Sequence, residues 1–467
     1  MGSGDSAVRG DPRRRIAIDG YNLALKQGTG VATYGRGLAN GIRRLGLGLD
    51  GVFGVNAPDR ADPLRREIAI YDPPADTRRR NLINFVRGAA EVGAAWASRP
   101  QAREIVFSGA VVPETARDRL PAFDRVWNYR RLFTLAQHHL RHTGRRLRLH
   151  MADPPAVMHW TYPVPVELAG ARNIYTVHDL VPLRLPHTTL DDKPRTLKLL
   201  RLLAAEADHL VTVSEASRRD LVDVLGVAPE RVTNTWQSVA PPPASPPEHT
   251  AALARGALGL EPDGYLLFFG AIEPKKNVGR MIEAFLASGS DKPLVIVGKQ
   301  AWKSEEELKL LFEDHIKYVA QENGRLVTRR KIILLDYAPF RLLVSLIRGA
   351  KAVLFPSLYE GFGLPALEAM SLGTPVLTSN TSSLPEVVGD AAVKVDPYDV
   401  RAMVEGIRAL DSDDELLGHL SWAGRRQAAI FSAAAYERRL SDLYARLGVT
   451  LEASAPEPVP LPEYEPG

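Results

Sequence analysis

Two carboxylates, Glu360 and Glu368, are separated by seven residues in Phe355-Pro356-Ser357-Leu358-Tyr359-Glu360-Gly361-Phe362-Gly363-Leu364-Pro365-Ala366-Leu367-Glu368-Ala369-Met370. The order predicts a strand ending near Phe355, a glycine-bearing turn and a helix starting at Pro365, because proline suits a position whose N–H would be unpaired anyway. Free amides of Phe362, Gly363 and Leu364 at that helix start, with the helix dipole behind them, make an anion site suited to a diphosphate. Gly361 and Gly363 permit a backbone approach that a side chain would block. Acids beside such a pocket are poor phosphate ligands but good acceptors for the hydroxyls of a sugar and a ribose. One anion hole between two polyol acceptors describes a nucleotide-sugar site. An isolated acidic pair would only gain stabilisation from the helix dipole; the strand–turn–helix context argues for chemistry instead.

The elements that must carry this turn are legible in the rest of the chain. Its 467 residues, 45% hydrophobic and 24% charged, have the balance of a globular protein of two or three domains. The lack of cysteine excludes a disulfide framework, a thiol nucleophile and Cys-ligated metals. No apolar run approaches the roughly 18 residues of a membrane span, and the amino terminus lacks the apolar core of a secretory signal. A cytoplasmic location is therefore expected, with the inner face of the plasma membrane as a place to dock. A net charge of +4 is too weak to argue for nucleic acid. Strands are expected at 16–20, 172–177, 210–213, 265–269, 294–297, 332–335, 352–355, 376–378 and 392–395. Helices are expected at 33–45, from Glu215 behind a Ser214 cap, at 278–287 and over 411–447. Residues 240–247, APPPASPP, break the rhythm as a semi-rigid linker that cannot be helix or central strand. The expected architecture is α/β, two Rossmann-like doubly wound domains facing across a cleft. Its divisions are a disordered terminus at 1–14, a first domain at 15–240, a linker and lead-in at 241–261, a second domain at 262–430, a terminal helix at 431–449 and a disordered tail at 450–467.

The stretch 59–150 fits this pattern poorly and is expected to be an insertion. Within it, 125–148 holds seven arginines and no acid, with apolar residues such as Trp127, Leu132, Phe133 and Leu140 interleaved. It reads as a basic amphipathic helix resting on an anionic membrane, or as a solvated helix covering a sheet face; the second is preferred, since arginine stems cover apolar surface in many folds. His138, His139 and His142 have helical ligand spacing but no carboxylate nearby, so a zinc site is not expected there. Asp411-Ser412-Asp413 reads as a helix start rather than a metal-binding acid motif. The Gly28/Gly30 loop is not a dinucleotide fingerprint, because the third glycine and the following acid are misplaced.

The Glu-x(7)-Glu segment resembles the signature of retaining glycosyltransferases of family 4, which have the GT-B fold. Further pieces stand in the family's order: Gly28-Thr29-Gly30-Val31-Ala32-Thr33-Tyr34, Tyr175-Thr176-Val177-His178-Asp179-Leu180, Val213-Ser214-Glu215-Ala216-Ser217, Gly270-Ala271-Ile272-Glu273-Pro274-Lys275-Lys276-Asn277, and Ser382-Ser383-Leu384-Pro385-Glu386-Val387-Val388-Gly389. The second half is most similar to bacterial mannosyltransferases. The resemblance implies an acceptor domain followed by a nucleotide-sugar donor domain, and transfer with retention by front-face attack.

It also implies roles, position by position. Lys276 neutralises the donor diphosphate, with Lys275, where the family often has arginine, as a supporting charge. Ala271 stands where some members carry a second phosphate-binding arginine, so the helix amides and Lys276 must do more. Glu368 holds the ribose, Glu360 steadies the transferred sugar, and His178 hydrogen-bonds that sugar from the opposing domain. Gly28, Gly30 and Asp179 border the acceptor or donor loop. No cofactor and no catalytic metal are expected. The implied donor is a nucleotide-diphosphate hexose, GDP-mannose first, and the implied acceptor a glycan or lipid-linked oligosaccharide of a bacterial surface polysaccharide. The competing readings are a sugar-nucleotide epimerase or phosphorylase on the same fold, and a non-catalytic nucleotide-sugar-binding module.

Overall fold

A computed structural model of the chain describes residues 11–24, 30–57, 62–73, 93, 99–112, 120–239, 246–312, 317–322 and 325–451. Ile16, Ala17 and Ile18 offer apolar side chains to both faces, and β1 (Arg15–Asp19) is buried along its whole length, as a parallel strand covered on both sides must be. α1 (Gly30–Arg44) turns Ala32, Tyr34, Leu38 and Ile42 inward, and β2 (Gly48–Phe53) returns parallel to β1. β3 (Arg103–Ile105), β4 (Arg125–Asn128), α2 (Leu132–Thr143), β5 (Leu147–Leu149), β6 (Val157–Trp160), β7 (Val166–Leu168), β8 (Arg172–Val177), α3 (Lys193–Glu206), β9 (His209–Thr212), α4 (Glu215–Leu225) and β10 (Val232–Asn234) follow. Eight of these strands form one sheet in the order β10-β9-β8-β6-β1-β2-β4-β3, while β5 and β7 pair separately. Ser214 caps α4 as expected, its Oγ accepting the Ser217 N–H at 3.0 Å.

The second lobe restarts with α5 (Pro247–Leu258), then β11 (Leu266–Phe269), α6 (Val278–Ser288) and β12 (Leu294–Val297). A hairpin of β13 (Lys317–Glu322) and β14 (Arg325–Arg330) precedes β15 (Ile332–Leu335), α7 (Phe340–Gly349), β16 (Ala352–Phe355), α8 (Leu364–Ser371), β17 (Val376–Ser379), α9 (Leu384–Val388) and β18 (Val393–Val395). Its sheet, β15-β12-β11-β16-β17-β18, is parallel throughout. Helices α10 (Val400–Ser412), α11 (Asp414–Ala429) and α12 (Ala433–Arg446) close the chain. Asp413 caps α11, accepting from Leu416 N–H at 2.9 Å, so the acidic triplet around it is helix punctuation. Among the described residues no helix is long and apolar enough to cross a membrane.

α12 does not stay with the second lobe. It crosses back onto α1, where a Cβ added to Gly41 would lie 2.8 Å from Leu440 Cδ1 and Arg44 pairs with Glu437 at 2.9 Å. Deeper in, the phenol of Tyr444 lies 2.9 Å from His159 Nδ1, while His159 Nε2 lies 2.9 Å from Thr176 Oγ1. This buried polar chain ties the terminal helix to β6 and β8 beneath the cleft.

Four expectations change. The stretch 59–150 is not a separate insertion, because β3 and β4 extend the first sheet. The run 125–148 is not one amphipathic helix but β4, α2 and β5, and Val126, Trp127, Leu132, Leu135 and Leu140 are spent in the core. No apolar face of that run remains to rest on lipid. Helix α5 begins at Pro247, inside the proline run, where proline fits a first helical position. Pro12–Arg14 forms a 3-10 turn within the segment expected to be disordered. The rest of that segment up to residue 10, residues 240–245 and the tail from 452 lie outside the described residues.

Candidate active site

The turn between β16 and α8 is shaped by contacts its own sequence does not announce. Gly363 is the α8 N-cap at φ +105°, a left-handed conformation, and a Cβ there would lie 2.7 Å from Leu384. Pro365 is the second helical residue, one later than expected. Ser382 Oγ accepts the Glu360 N–H at 2.9 Å, and the Ser383 hydroxyl is shared by the carbonyls of Glu360 and Phe362 at 2.9 and 2.8 Å. With its carbonyls held from behind, the turn is left with unpaired donors. Among the described residues no acceptor meets the amides of Gly361, Phe362, Gly363 or Leu364. Four open amides ending in a helix start are a ready anion site.

Lys275 and Lys276 reach this turn from the short 3-10 segment Pro274–Lys276 after β11. Lys276 Nζ lies 2.6 Å from Glu360 Oε1 and 4.9 Å from the centre of the Phe355 ring. Glu360 is only 7% exposed. Burial pushes its carboxyl up, but the ammoniums of Lys276 and Lys275 outweigh it and hold the group below its ordinary range. Burial likewise works against the Lys275 ammonium, yet Glu360, Asp179 and Glu273 around it raise it above the usual lysine value. Asn277 fixes the lysines in place. It sits buried at φ +61° and donates from Nδ2 to the carbonyls of Pro356 and Pro397, at 3.0 and 2.7 Å. Glu368, on α8, is different. Burial alone raises its carboxyl to about 7, and no donor meets that carboxylate among the described residues. It is an acceptor held ready for hydroxyl donors.

The opposite wall comes from the first lobe. His178 follows β8, and its Nε2 lies 2.9 Å from the Thr161 carbonyl. A carbonyl can only accept, so Nε2 carries the proton and Nδ1 presents a lone pair. Burial pushes the imidazole's pKa down, which keeps it neutral. Thr161 is itself held by Asp19 at the end of β1, whose Oδ2 accepts the Thr161 N–H at 2.5 Å. Tyr34 packs edge-on against the His178 ring at 4.9 Å between centroids. Asp179 accepts the Val181 N–H at 3.0 Å. The two lobes touch here: a Cβ on Gly361 would lie 2.6 Å from the His178 carbonyl oxygen and 3.2 Å from Asp179 Oδ2. Beside this contact a cavity of about 470 Å³ is lined by Tyr21, Val31, Tyr162, His178, Asp179 and Lys275, among others.

Thus Glu360, Lys276, Lys275 and the open amides share one wall, Glu368 stands one turn along α8 from Leu364, and His178 and Asp179 face the turn. Gly30 opens α1 next to the cavity-lining Val31, with nothing within 4 Å of where a Cβ would stand. Among the described residues no contact demands glycine there; Gly28 lies outside the described residues. Asn277, Ser382, Ser383, Thr161 and Asp19 were not singled out for roles from sequence. Three of them lie inside motifs that the sequence does show, and Asp19 ends the first strand.

The family profile "Glycosyl transferases group 1" matches residues 254–427, and "Glycosyltransferase Family 4" matches 96–234. Over 269 residues the chain is 34% identical to the O-antigen chain mannosyltransferase B of Escherichia coli, covering 56% of this chain and 67% of that protein. It is 28% identical over 287 residues to the serotype-specific mannosyltransferase WbdA of the same organism, covering 58% of this chain but only 33% of WbdA. Against that relative the chain thus spans about a third of the length. The sucrose-phosphate synthase of Thermosynechococcus elongatus superposes with a TM-score of 0.61 at 16% identity, over 93% of this chain and 99% of that one.

Proposed function

The chain belongs to the glycosyltransferases of family 4 and has their GT-B fold; from that premise we propose that it transfers a mannosyl residue from GDP-mannose to a glycan or lipid-linked acceptor in the synthesis of a bacterial surface polysaccharide. The observation that carries the reading is the meeting of Lys276 and Glu360 at 2.6 Å beside four unpaired amides, with His178 across the gap. The mannosyltransferase relatives support the choice of sugar.

In this mechanism the diphosphate settles on the amides of Gly361 to Leu364, and Lys276 turns from Glu360 toward it, with Lys275 adding charge. These groups compensate the negative charge that grows on the leaving phosphate, which is why we expect no metal. The ribose hydroxyls donate to Glu368. Glu360 is left facing the sugar, where its ionised carboxylate steadies the positive charge developing at the anomeric carbon. His178 Nδ1 accepts from a sugar hydroxyl. The acceptor hydroxyl attacks the anomeric carbon on the face the phosphate leaves. The carbon–phosphate-oxygen bond breaks as the new carbon–oxygen bond forms. The acceptor proton passes to the departing phosphate oxygen, so the configuration is retained.

The test is a donor screen that scores release of GDP, UDP and ADP with a mannan-type acceptor panel, with product configuration read by NMR. Release of GDP with an α-linked product is expected. Turnover of a different nucleotide sugar would replace the donor, and an inverted product would remove the mechanism.

A further inference from the structure

The two lobes are gripped together at one element that also holds His178, and no role in transfer follows for that grip from the site geometry alone. α4 belongs to the first lobe, yet the N–H groups of Glu215 and Ala216 at its start are accepted by Glu386 of the second, at 2.9 and 3.0 Å. The same carboxylate accepts Trp236 Nε1–H at 3.1 Å, and Trp236 lies after β10, where the chain leaves the first lobe. One turn further along α4, the Tyr359 hydroxyl donates to Asp220. Tyr359 is the residue before Glu360, and Glu386 follows the serines that clamp the turn. Between these two grips stands Ser217, whose hydroxyl donates to the His178 carbonyl at 2.7 Å. That is the carbonyl against which Gly361 packs.

Amides at a helix start need acceptors, and a carboxylate there is favoured by the dipole as well. Here the acceptor comes from the other lobe, so α4 is fully capped only while the lobes are engaged. Separating α4 from the second lobe breaks the two helix-start bonds to Glu386, and it loosens the helix that steadies His178. By contrast the groups assigned to the nucleotide (Lys276, Glu368 and the four amides) all lie within the second lobe.

We propose that Glu386, with Tyr359, is a positioning residue: by capping and gripping α4 across the lobes it sets His178 at the transfer site, so that the centre is completed only on engagement of the two lobes. This rests on the transferase reading above.

The experiment compares Glu386→Ala, Glu386→Gln and Ser217→Ala with the parent protein. For Glu386→Ala, kcat should fall about tenfold while the affinity for nucleoside diphosphate stays within about twofold, because only transition-state placement is disturbed. Glu386→Gln keeps one acceptor oxygen and should recover part of the rate. Ser217→Ala should lower kcat similarly, and the double variant with Glu386→Ala should be less than multiplicative, since both act through α4. Hydrogen exchange at the Glu215 and Ala216 amides should quicken in Glu386→Ala, a readout that needs no turnover. Unchanged kcat, nucleotide affinity falling in step with kcat, fully multiplicative effects, or unaltered exchange would each overturn the proposal. A parent protein that turns over no donor at all would instead count against the transferase reading.

Discussion

Replacing Glu368 by glutamine should make the protein more stable and less able to hold a nucleotide, and the gain should depend on pH. The carboxyl is raised from 4.5 to about 7 by burial alone. Between those values the unfolded chain has already released the proton that the folded chain keeps, so Glu368 costs stability as pH rises and costs nothing well below 4.5. At 1.36 kcal/mol per pKa unit, linkage gives a penalty of about 1 kcal/mol at pH 5, about 2 at pH 6 and about 3 at pH 8. Glutamine has no charge to desolvate, so Glu368→Gln should gain these amounts; water reaching the half-buried side chain makes about 3 kcal/mol the ceiling. Urea unfolding of both proteins across pH 5 to 8, with parallel slopes, measures the difference. Nucleoside diphosphate binding by the same variant should weaken about tenfold or more at pH 8, because a charged acceptor for two hydroxyls is lost. In the parent, that binding should weaken as pH drops below about 7 and Glu368 takes up its proton. A stability gap that is absent at pH 8, or equal at pH 5 and pH 8, would mean that Glu368 has a partner in the folded protein and is not held open for a ribose.

Three further changes probe the rest of the site. Lys276→Ala should lower kcat/KM for the donor about a hundredfold, the scale of a charge-assisted contact in the transition state. It should also give activity that rises with pH, because Glu360 then keeps the burial that raises its pKa and loses its nearest counter-charge; a flat profile would contradict the pairing. Gly361→Ala puts a methyl 2.6 Å from the His178 carbonyl oxygen and must shift the turn whose amides take the diphosphate, so transfer should fall at least tenfold and nucleotide affinity, measured by calorimetry, should fall as well; unchanged affinity would contradict the anion site. Asn277→Ala removes two buried hydrogen bonds and a residue suited to positive φ, and should cost about 2–3 kcal/mol in urea unfolding, with nucleotide binding weakened as Lys276 loses its support.

The six strands of the second lobe's main sheet were legible because they are short, largely apolar runs, as in Leu294–Val297 and Ala352–Phe355, whereas the charge-rich hairpin of β13 and β14 was not expected. Boundaries of those six differ by a residue or less. β3 was not legible: it has three residues, exposes Arg103 and Glu104, and pairs antiparallel at the sheet edge, so no periodicity marks it. β4 has four residues and an arginine at its start, which made it read with the basic run after it. The site divides in the same way. Residues proposed to face the substrate, Glu360, Glu368, Lys276 and His178, carry a spacing pattern. Residues that act by binding distant backbone do not: Asn277 reaches Pro356 and Pro397, and Ser383 reaches back to Glu360 and Phe362. Their partners are fixed only by the crossing of the chain, which one-dimensional spacing cannot carry.

The distribution of charge between the lobes bears on how transfer would be kept from becoming hydrolysis. The cationic groups that face the turn, Lys275 and Lys276, come from the second lobe, and the carboxylates near them on that lobe, Glu273 and Glu360, are already paired. The first lobe offers a neutral histidine whose one proton is committed to the Thr161 carbonyl. A protonated imidazole at that place would put a positive charge beside an anomeric carbon that becomes positive in the transition state, and would oppose the reaction. Burial of His178 removes that charge, leaving Nδ1 able only to accept. On the proposed route the Nδ1 lone pair is taken up by the sugar hydroxyl that donates to it, and the departing phosphate is the group that takes the acceptor's proton. Such a centre favours a hydroxyl pinned against the phosphate over water arriving from any other side, because only the pinned nucleophile can hand over its proton as it attacks.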